Sequence, residues 1–158
     1  MQIQIVCVGR IKDGYLNAGI AEFEKRLRPY AKVTVTELAD VRVPDGASVS
    51  GESLVKEKEG EKILAAVKDG FFRVVLDPRG VQITSEEVAG MFGDAEIGGR
   101  NLCFIIGGPL GLSPAVVAAA ERCVSFSRLT FTHTMIRLIL FEQLYRGFRI
   151  LRNEPYHK

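Results

Sequence analysis

The spacing of apolar residues changes several times along the chain, and each change marks an element. Residues 2–8 (Gln-Ile-Gln-Ile-Val-Cys-Val) alternate and then run apolar, which fits a strand. Gly9 to Gly14 is a loop carrying Arg10 and Lys12. Leu16, Ile20, Phe23 and Leu27 recur at helical spacing, so residues 15–28 form a helix that Pro29 ends. Residues 32–38 alternate and are rich in β-branched side chains, a second strand. Residues 39–51 hold Pro44, Gly46, Gly51 and small polar residues, and are expected to be the longest and most mobile loop. A charged helix is expected over residues 52–69, with Leu54, Ile63, Leu64 and Val67 as its apolar positions.

The second half shortens its apolar runs. Phe71 to Leu76, bounded by Gly70 and Asp77-Pro78, fits a buried strand of a parallel sheet. Thr84-Ser85-Glu86-Glu87 opens a helix with Val88, Met91 and Phe92 behind it. Leu102 to Ile106 is another buried strand, and Ser113-Pro114 starts a helix over residues 114–121. Val124 to Phe126 is a last short strand before a terminal helix from His133 to Asn153. On that helix Ile136, Leu140, Leu144, Phe148 and Leu151 form a packing stripe that Met135 and Ile139 widen. Strands alternating with helices define an α/β fold, a mainly parallel sheet with helices on both faces. Neither repeat nor linker divides the chain, so residues 1–158 form a single domain.

Composition narrows the class. Apolar residues at 47% and charged residues at 25% fit an ordinary globular protein, and no apolar run is long enough to span a bilayer. No basic segment precedes the first apolar run, so the N-terminus is read as a strand and the protein as cytoplasmic. Cys7, Cys103 and Cys123 lie far apart with no metal-ligand spacing, and are expected to be reduced, buried thiols; no metal is expected. Charge is segregated: residues 37–96 carry 13 acids against 7 Lys and Arg, whereas residues 122–158 carry 7 Lys and Arg against 2 acids. A basic end on a nearly neutral chain points to a local anionic partner, with a solvated helix face as the plain alternative.

Three strand-end loops carry the candidate chemistry. Gly107-Gly108-Pro109-Leu110-Gly111 follows a buried strand, where ligands bind in open parallel sheets. Its spacing is neither that of a dinucleotide loop nor that of a triphosphate loop. Asp77-Pro78-Arg79-Gly80 is read as a turn at a second strand end, and Ser127 to His133 leaves a third. Each could be only a turn; together they could surround one ligand. On the terminal helix Glu142 and Arg146 form an i,i+4 pair, and Arg137 among apolar neighbours needs a buried partner. Arg146, Arg149, Arg152 and Lys158 could hold phosphates. The terminal Tyr156-His157-Lys158 should dock, since a frayed aromatic would lose its burial.

Leu76-Asp-x-x-Gly80, Ile106-Gly-Gly-x-x-Gly-Leu-Ser113, and the run from His133 through Arg137, Glu142-Gln-Leu-Tyr-Arg146 and Pro155-Tyr-His157 resemble the bacterial 23S rRNA pseudouridine-N3 methyltransferases, small enzymes of the SPOUT class. The resemblance covers essentially the whole chain. It implies a C-terminal trefoil knot, a homodimer, and S-adenosyl-L-methionine as methyl donor. It places cofactor contacts on Leu76, Gly107, Gly108, Ser127, Arg128, Leu129, Thr130, Phe131 and Thr132, with side chains at 107 and 108 expected to intrude on the ligand. It implies methylation of N3 of a pseudouridine in 23S rRNA on the assembled ribosome. Some members place proline beside the histidine, where this chain has Thr132 and Thr134. N3–H must lose its proton, and His157 is the first candidate base and His133 the second, with solvent as a third route. Arg137 is expected to stabilise the ring's developing negative charge, and Tyr156 to stack on or align the base. The competing readings are a non-catalytic ribosome- or RNA-binding module built on the basic helix, and an ordinary Rossmann nucleotide enzyme.

Overall fold

The computed structural model describes residues 1–43, 46 and 48–158. Ten elements alternate: β1 (Gln2–Val8), α1 (Gly14–Leu27), β2 (Lys32–Leu38), α2 (Val49–Ala66), β3 (Phe71–Gln82), α3 (Ser85–Ile97), β4 (Asn101–Ile106), α4 (Pro114–Ala118), β5 (Arg122–Ser125) and α5 (Met135–Leu151). The five strands form one sheet in the order β2-β1-β4-β3-β5, and every pairing is parallel. Alternate residues of the central strands therefore face opposite layers. Ile3, Ile5 and Cys7 of β1, with Leu102 and Phe104 of β4, face the layer of α1, α3 and α5. Val6, Val8, Cys103 and Ile105 face the smaller layer of α2 and α4. Helices thus cover both faces, as the strand patterns imply.

The larger layer is held by aromatics and by one glycine. Phe92 of α3 stacks on Phe148 of α5 at 4.6 Å, and Tyr30 stacks on the same ring at 5.5 Å. Such pairs contribute roughly 0.5–1.5 kcal/mol each beyond area burial. The helices approach closely because position 147 is glycine: a β-carbon there would lie 2.7 Å from the Phe92 ring. On the other face, buried Gln4 donates to Ala66 O (2.8 Å) and accepts from Lys68 N (3.0 Å), fastening the turn between α2 and β3 to the sheet.

Several expected boundaries shift. Helix α2 starts at Val49, because Ser48 caps it by accepting from Gly51 N at 3.3 Å. The expected loop over residues 39–51 is therefore shorter; its residues Pro44, Asp45 and Ala47 lie outside the described residues. The buried face of α2 is Val55, Glu59, Gly60 and Ile63, while the expected apolar positions Leu54 and Leu64 are exposed. Strand β3 does not end in a turn after Leu76. It continues to Gln82 through a bulge, with both Leu76 and Val81 opposite Val124. The Asp77 carboxylate organises that bulge by accepting from Arg79 N (2.9 Å), Nε (3.0 Å) and Nη2 (3.0 Å). Thr84 and Glu87 form the expected capping box of α3. Helix α5 begins at Met135 because the Thr132 hydroxyl accepts from Met135 N at 3.1 Å. Thr132 thus supplies a cap that a proline could not.

Candidate active site

Strands β4, β3 and β5 are neighbours, so their carboxyl ends lie side by side. The segments leaving them enclose a cavity of about 600 Å³, within the usual size of a small-molecule site. Leu76, Asp77 and Pro78 form one wall and the turn from Ile106 to Leu112 another. The segment after β5 closes it down to His133 and Ile136. Of the residues expected to contact a cofactor, Leu76, Gly107, Gly108, Ser127, Leu129, Thr130, Phe131 and Thr132 all line it; Arg128 does not. Among the described residues no Lys or Arg faces this cavity, so it lacks the cationic side chains that commonly hold a phosphate.

The glycine turn is tight for a reason internal to the protein. Gly111 adopts φ +84° and donates its N–H to Gly108 O at 2.9 Å. A β-carbon on Gly107 would lie 2.9 Å from Gly111 C and 3.0 Å from the Leu112 side chain. On Gly108 it would lie 3.1 Å from both Val8 Cγ1 and Glu59 Oε2. Side chains at 107 and 108 would thus meet neighbouring protein atoms at the turn itself. The 127–132 segment is braced by its own hydroxyls, with Ser125 Oγ donating to Ser127 O (2.8 Å) and Leu129 N donating to Ser127 Oγ (2.9 Å).

His133 sits at the cavity wall beside the backbone of Gly9. Burial and the nearby Arg137 charge hold its pKa below the ordinary histidine value, with Asp40 opposing. The ring is therefore neutral near pH 7, and a depressed value costs stability on acidification. Stability from this group is present above the unfolded value of about 6.5 and is lost as pH falls through the folded value. Urea denaturation at pH 7 and pH 5 should show a smaller acid loss in His133→Gln than in the parent; equal losses would remove the assignment. The thiols behave oppositely: burial pushes Cys7 up to about 11 and Cys103 up to about 12, which keeps both protonated and inert.

Arg137 is buried and points away from this cavity. Its Nη1 donates to Glu37 Oε1 at 3.1 Å, and its Nη2 donates to Val8 O and to Gly9 O (3.0 Å). The sequence demands a buried partner; the structure supplies two backbone carbonyls at the end of β1 together with the exposed carboxylate of Glu37.

The terminal tail does dock, on α5 and not at the cavity. Tyr156 donates to Glu142 Oε1 (3.1 Å), packs edge-on against Tyr145 (4.9 Å) and lies under the Arg146 guanidinium (4.7 Å). His157 Nε2 is 2.9 Å from Glu86 Oε1, and its Nδ1 is 3.4 Å from Arg146 Nη1. The arginines expected to meet phosphates already have partners. Arg146 pairs with Glu142 (2.6 Å), Arg149 with Glu154 (3.0 Å) and Arg152 with Glu96 (2.6 Å). Lys158 is exposed.

Asp77 entered the sequence reading only as part of a turn and motif, and Glu59 not at all. Asp77 is buried at the cavity, where the Arg79 fork holds its carboxyl below the usual carboxylate range. Glu59 looked like one more charge on a charged helix. The available signal was its place between Val55 and Ile63 at four-residue spacing, on the face that packs.

The strand-end loops of this five-stranded parallel sheet enclose a cavity, and residues 1–157 match the family model described as "Predicted SPOUT methyltransferase". The chain belongs to the SPOUT methyltransferase family. It is 51% identical over 159 residues to the ribosomal RNA large subunit methyltransferase H of Halothermothrix orenii, covering all of both chains. It is 48% identical, again over all of both, to the protein of the same name from Clostridium beijerinckii. A protein of Methanocorpusculum labreanum, provisionally given that description, is 63% identical over all 158 residues of both chains. The solved structure of a probable methylase family protein from Haemophilus influenzae Rd KW20 shares the fold, with a TM-score of 0.56 at 12% identity, covering 99% of this chain and 70% of that one. Among the described residues no helix is long and apolar enough to cross a membrane, and no cluster of three or more His, Cys, Asp or Glu could hold a metal ion.

Proposed function

We propose that this chain is an S-adenosylmethionine-dependent methyltransferase acting on N3 of a pseudouridine in 23S rRNA, on the assembled ribosome in the cytoplasm. The observation that carries the reading is the cavity, where three loops distant in sequence meet around a space without cationic side chains. That lining suits a sulfonium nucleoside and does not suit a dinucleotide or a triphosphate, which argues against an ordinary Rossmann enzyme. Apolar Leu76, Ile106, Phe126 and Leu129 offer surface for a base, while backbone groups of the glycine turn and of residues 127–132 offer hydrogen bonds. The bound donor supplies an electrophilic methyl carbon. The protein's part is to orient the RNA base, exclude water and remove the N3 proton.

In this reading His157 is the base, His133 the second candidate, and Tyr156 aligns the nucleobase. Arg137, whose Nη donors are engaged by Glu37, Val8 O and Gly9 O, acts through its charge. Tyr156 and His157 are absent from the cavity lining of their own protomer, so a second copy supplies them, and a homodimer belongs to the proposal. Half-buried Met135, Ile139 and Ile150 on α5 leave an apolar strip for that contact. The knot belongs to it too: β4 and β5 flank β3, so the chain crosses β3 before entering α5. Arg146, Arg149, Arg152 and Lys158 remain candidates for rRNA phosphates, the first three by exchanging their present carboxylates. The strand-end cavity and the methyltransferase family match weigh against a non-catalytic RNA-binding module, which needs neither.

The test is transfer of a labelled methyl group from S-adenosylmethionine to ribosomes made with and without prior pseudouridylation. Label should enter 23S rRNA only in the pseudouridylated particles. Equal labelling of both would overturn the choice of nucleotide, and labelling of neither would overturn the activity.

A further inference from the structure

The strand-end cavity meets solvent beside Leu129, which lines it and is 70% exposed. Cations stand at two separate stretches of that rim. Arg128 lies between Ser127 and Leu129, both of which line the cavity. Arg10 and Lys12 lie in the loop from β1 to α1, just after Gly9, where a β-carbon would be 3.5 Å from Nε2 of the wall residue His133. That loop is held in shape: Gly9 N donates to Leu38 O (2.8 Å), and Asn17 Nδ2 donates to Ile11 O (3.1 Å). Tyr15, in the first turn of α1, leaves its ring 67% exposed. Arg10, Lys12 and Arg128 are exposed, and among the described residues none of them forms an ion pair. Arg146, Arg149 and Arg152 of the terminal segment are each held by a carboxylate. Exposed cations also occur at the opposite edge of the sheet, such as Lys32 at the start of β2 and Arg122 at the start of β5. Charge alone therefore does not choose a face. The cavity does, because the atom to be methylated has to reach it.

We propose that the substrate RNA lies across this strand-end rim, with backbone phosphates on Arg10, Lys12 and Arg128 and an unpaired base stacked on Tyr15. The proposal rests on the reading of the protein as an rRNA methyltransferase and names the surface of that same site that meets the RNA. An unpaired cation takes a phosphate without surrendering another partner, whereas Arg146, Arg149 and Arg152 first have to leave their carboxylates. Bases splayed out of RNA loops stack on exposed aromatic rings, and an aromatic beside cations is the usual make-up of a single-strand surface. The arrangement also gives a role to Arg128, which stands in a cavity-lining segment without lining the cavity itself. Asp13, Asp40 and Arg42 share this edge, so the phosphate contacts are few and placed and do not form a broad cationic field.

Co-sedimentation of the full chain with pseudouridylated ribosomes, repeated over a series of potassium chloride concentrations, measures these contacts. Arg10→Gln, Lys12→Gln and Arg128→Gln should each weaken binding and each flatten the slope of log affinity against log salt by about 0.7–0.9, the weight of one phosphate contact. Tyr15→Ala should weaken binding by about tenfold with the parent's slope, because stacking releases no counterion. Lys32→Gln and Arg122→Gln make the same change of charge at the far edge and should leave affinity and slope as in the parent. All six variants should keep the parent's urea midpoint, since none of these side chains is buried or ion-paired. Parent-like slopes in the three rim variants overturn the proposal. So does equal flattening by Lys32→Gln and Arg122→Gln, which would mark a response to net charge alone. A parent protein that fails to bind ribosomes at any salt concentration defeats the rRNA reading itself, a result distinct from the other two.

Discussion

His157→Ala should lower methyl transfer to ribosomes by about a hundredfold or more, the usual weight of a positioned general base, with cofactor affinity unchanged. The N3 lone pair of the target is unavailable until its proton leaves, so a nearby imidazole acts on the chemical step. The cavity proposed for the donor is not lined by His157. In the docked tail His157 Nε2 faces Glu86 and Nδ1 faces Arg146, so neither nitrogen is free to take a proton. With His157 as the base, the tail has to exchange at least one of those contacts. A base delivered by a second copy makes a further outcome accessible. His157→Ala mixed with Gly108→Val, in which a branched side chain meets Val8 and Glu59, should regain activity through mixed dimers. Unchanged turnover in His157→Ala alone would leave solvent or His133 to take the proton.

Arg137→Ala should destabilise the fold by about 2–5 kcal/mol in urea denaturation, since a buried acceptor left without its donor costs roughly 1–3 kcal/mol and this guanidinium serves two backbone carbonyls. The guanidinium links three chain segments: β1 through Val8 O and Gly9 O, β2 through Glu37, and α5, which carries it. Truncation strands two carbonyls in an apolar layer and leaves Glu37 without its cation. Arg137→Lys should recover only part of the loss, since an ammonium cannot span the carboxylate and both carbonyls in one plane. Glu37→Gln should cost much less, because the Glu37 side chain is 38% exposed and remains hydrated. A loss below about 1 kcal/mol for Arg137→Ala would show that water replaces these contacts freely.

Most of the sheet was legible because parallel strands covered on both faces are continuous apolar runs, and Phe71–Leu76 and Leu102–Ile106 have no other good reading. The loops after β4 and β5 could be singled out because strand ends in such sheets carry ligands, and they do meet at one cavity. Where the reading missed, tertiary contacts decided. The β3 bulge depends on an Asp77–Arg79 fork that no periodicity encodes. Leu54 and Leu64 looked like the core face of α2, yet the neighbours of that helix select Val55, Glu59 and Ile63. The arginines of α5 looked free because their partners Glu96 and Glu154 come from outside that helix. Glu59 stayed hidden for the same reason, since burial of a charge is a property of the surroundings.

The strand order also sets a timetable for the nascent chain. The interior strand β1 can pair early with β2, but its other neighbour, the central strand β4, begins only at Asn101. Strand β3 likewise waits for β4 and then for β5, which starts at Arg122. Long-range parallel pairing is slow, and unpaired apolar edges invite association while they wait. About two-thirds of this polypeptide must therefore leave the tunnel before its middle layer can close, which leaves apolar strand edges unpaired for most of synthesis.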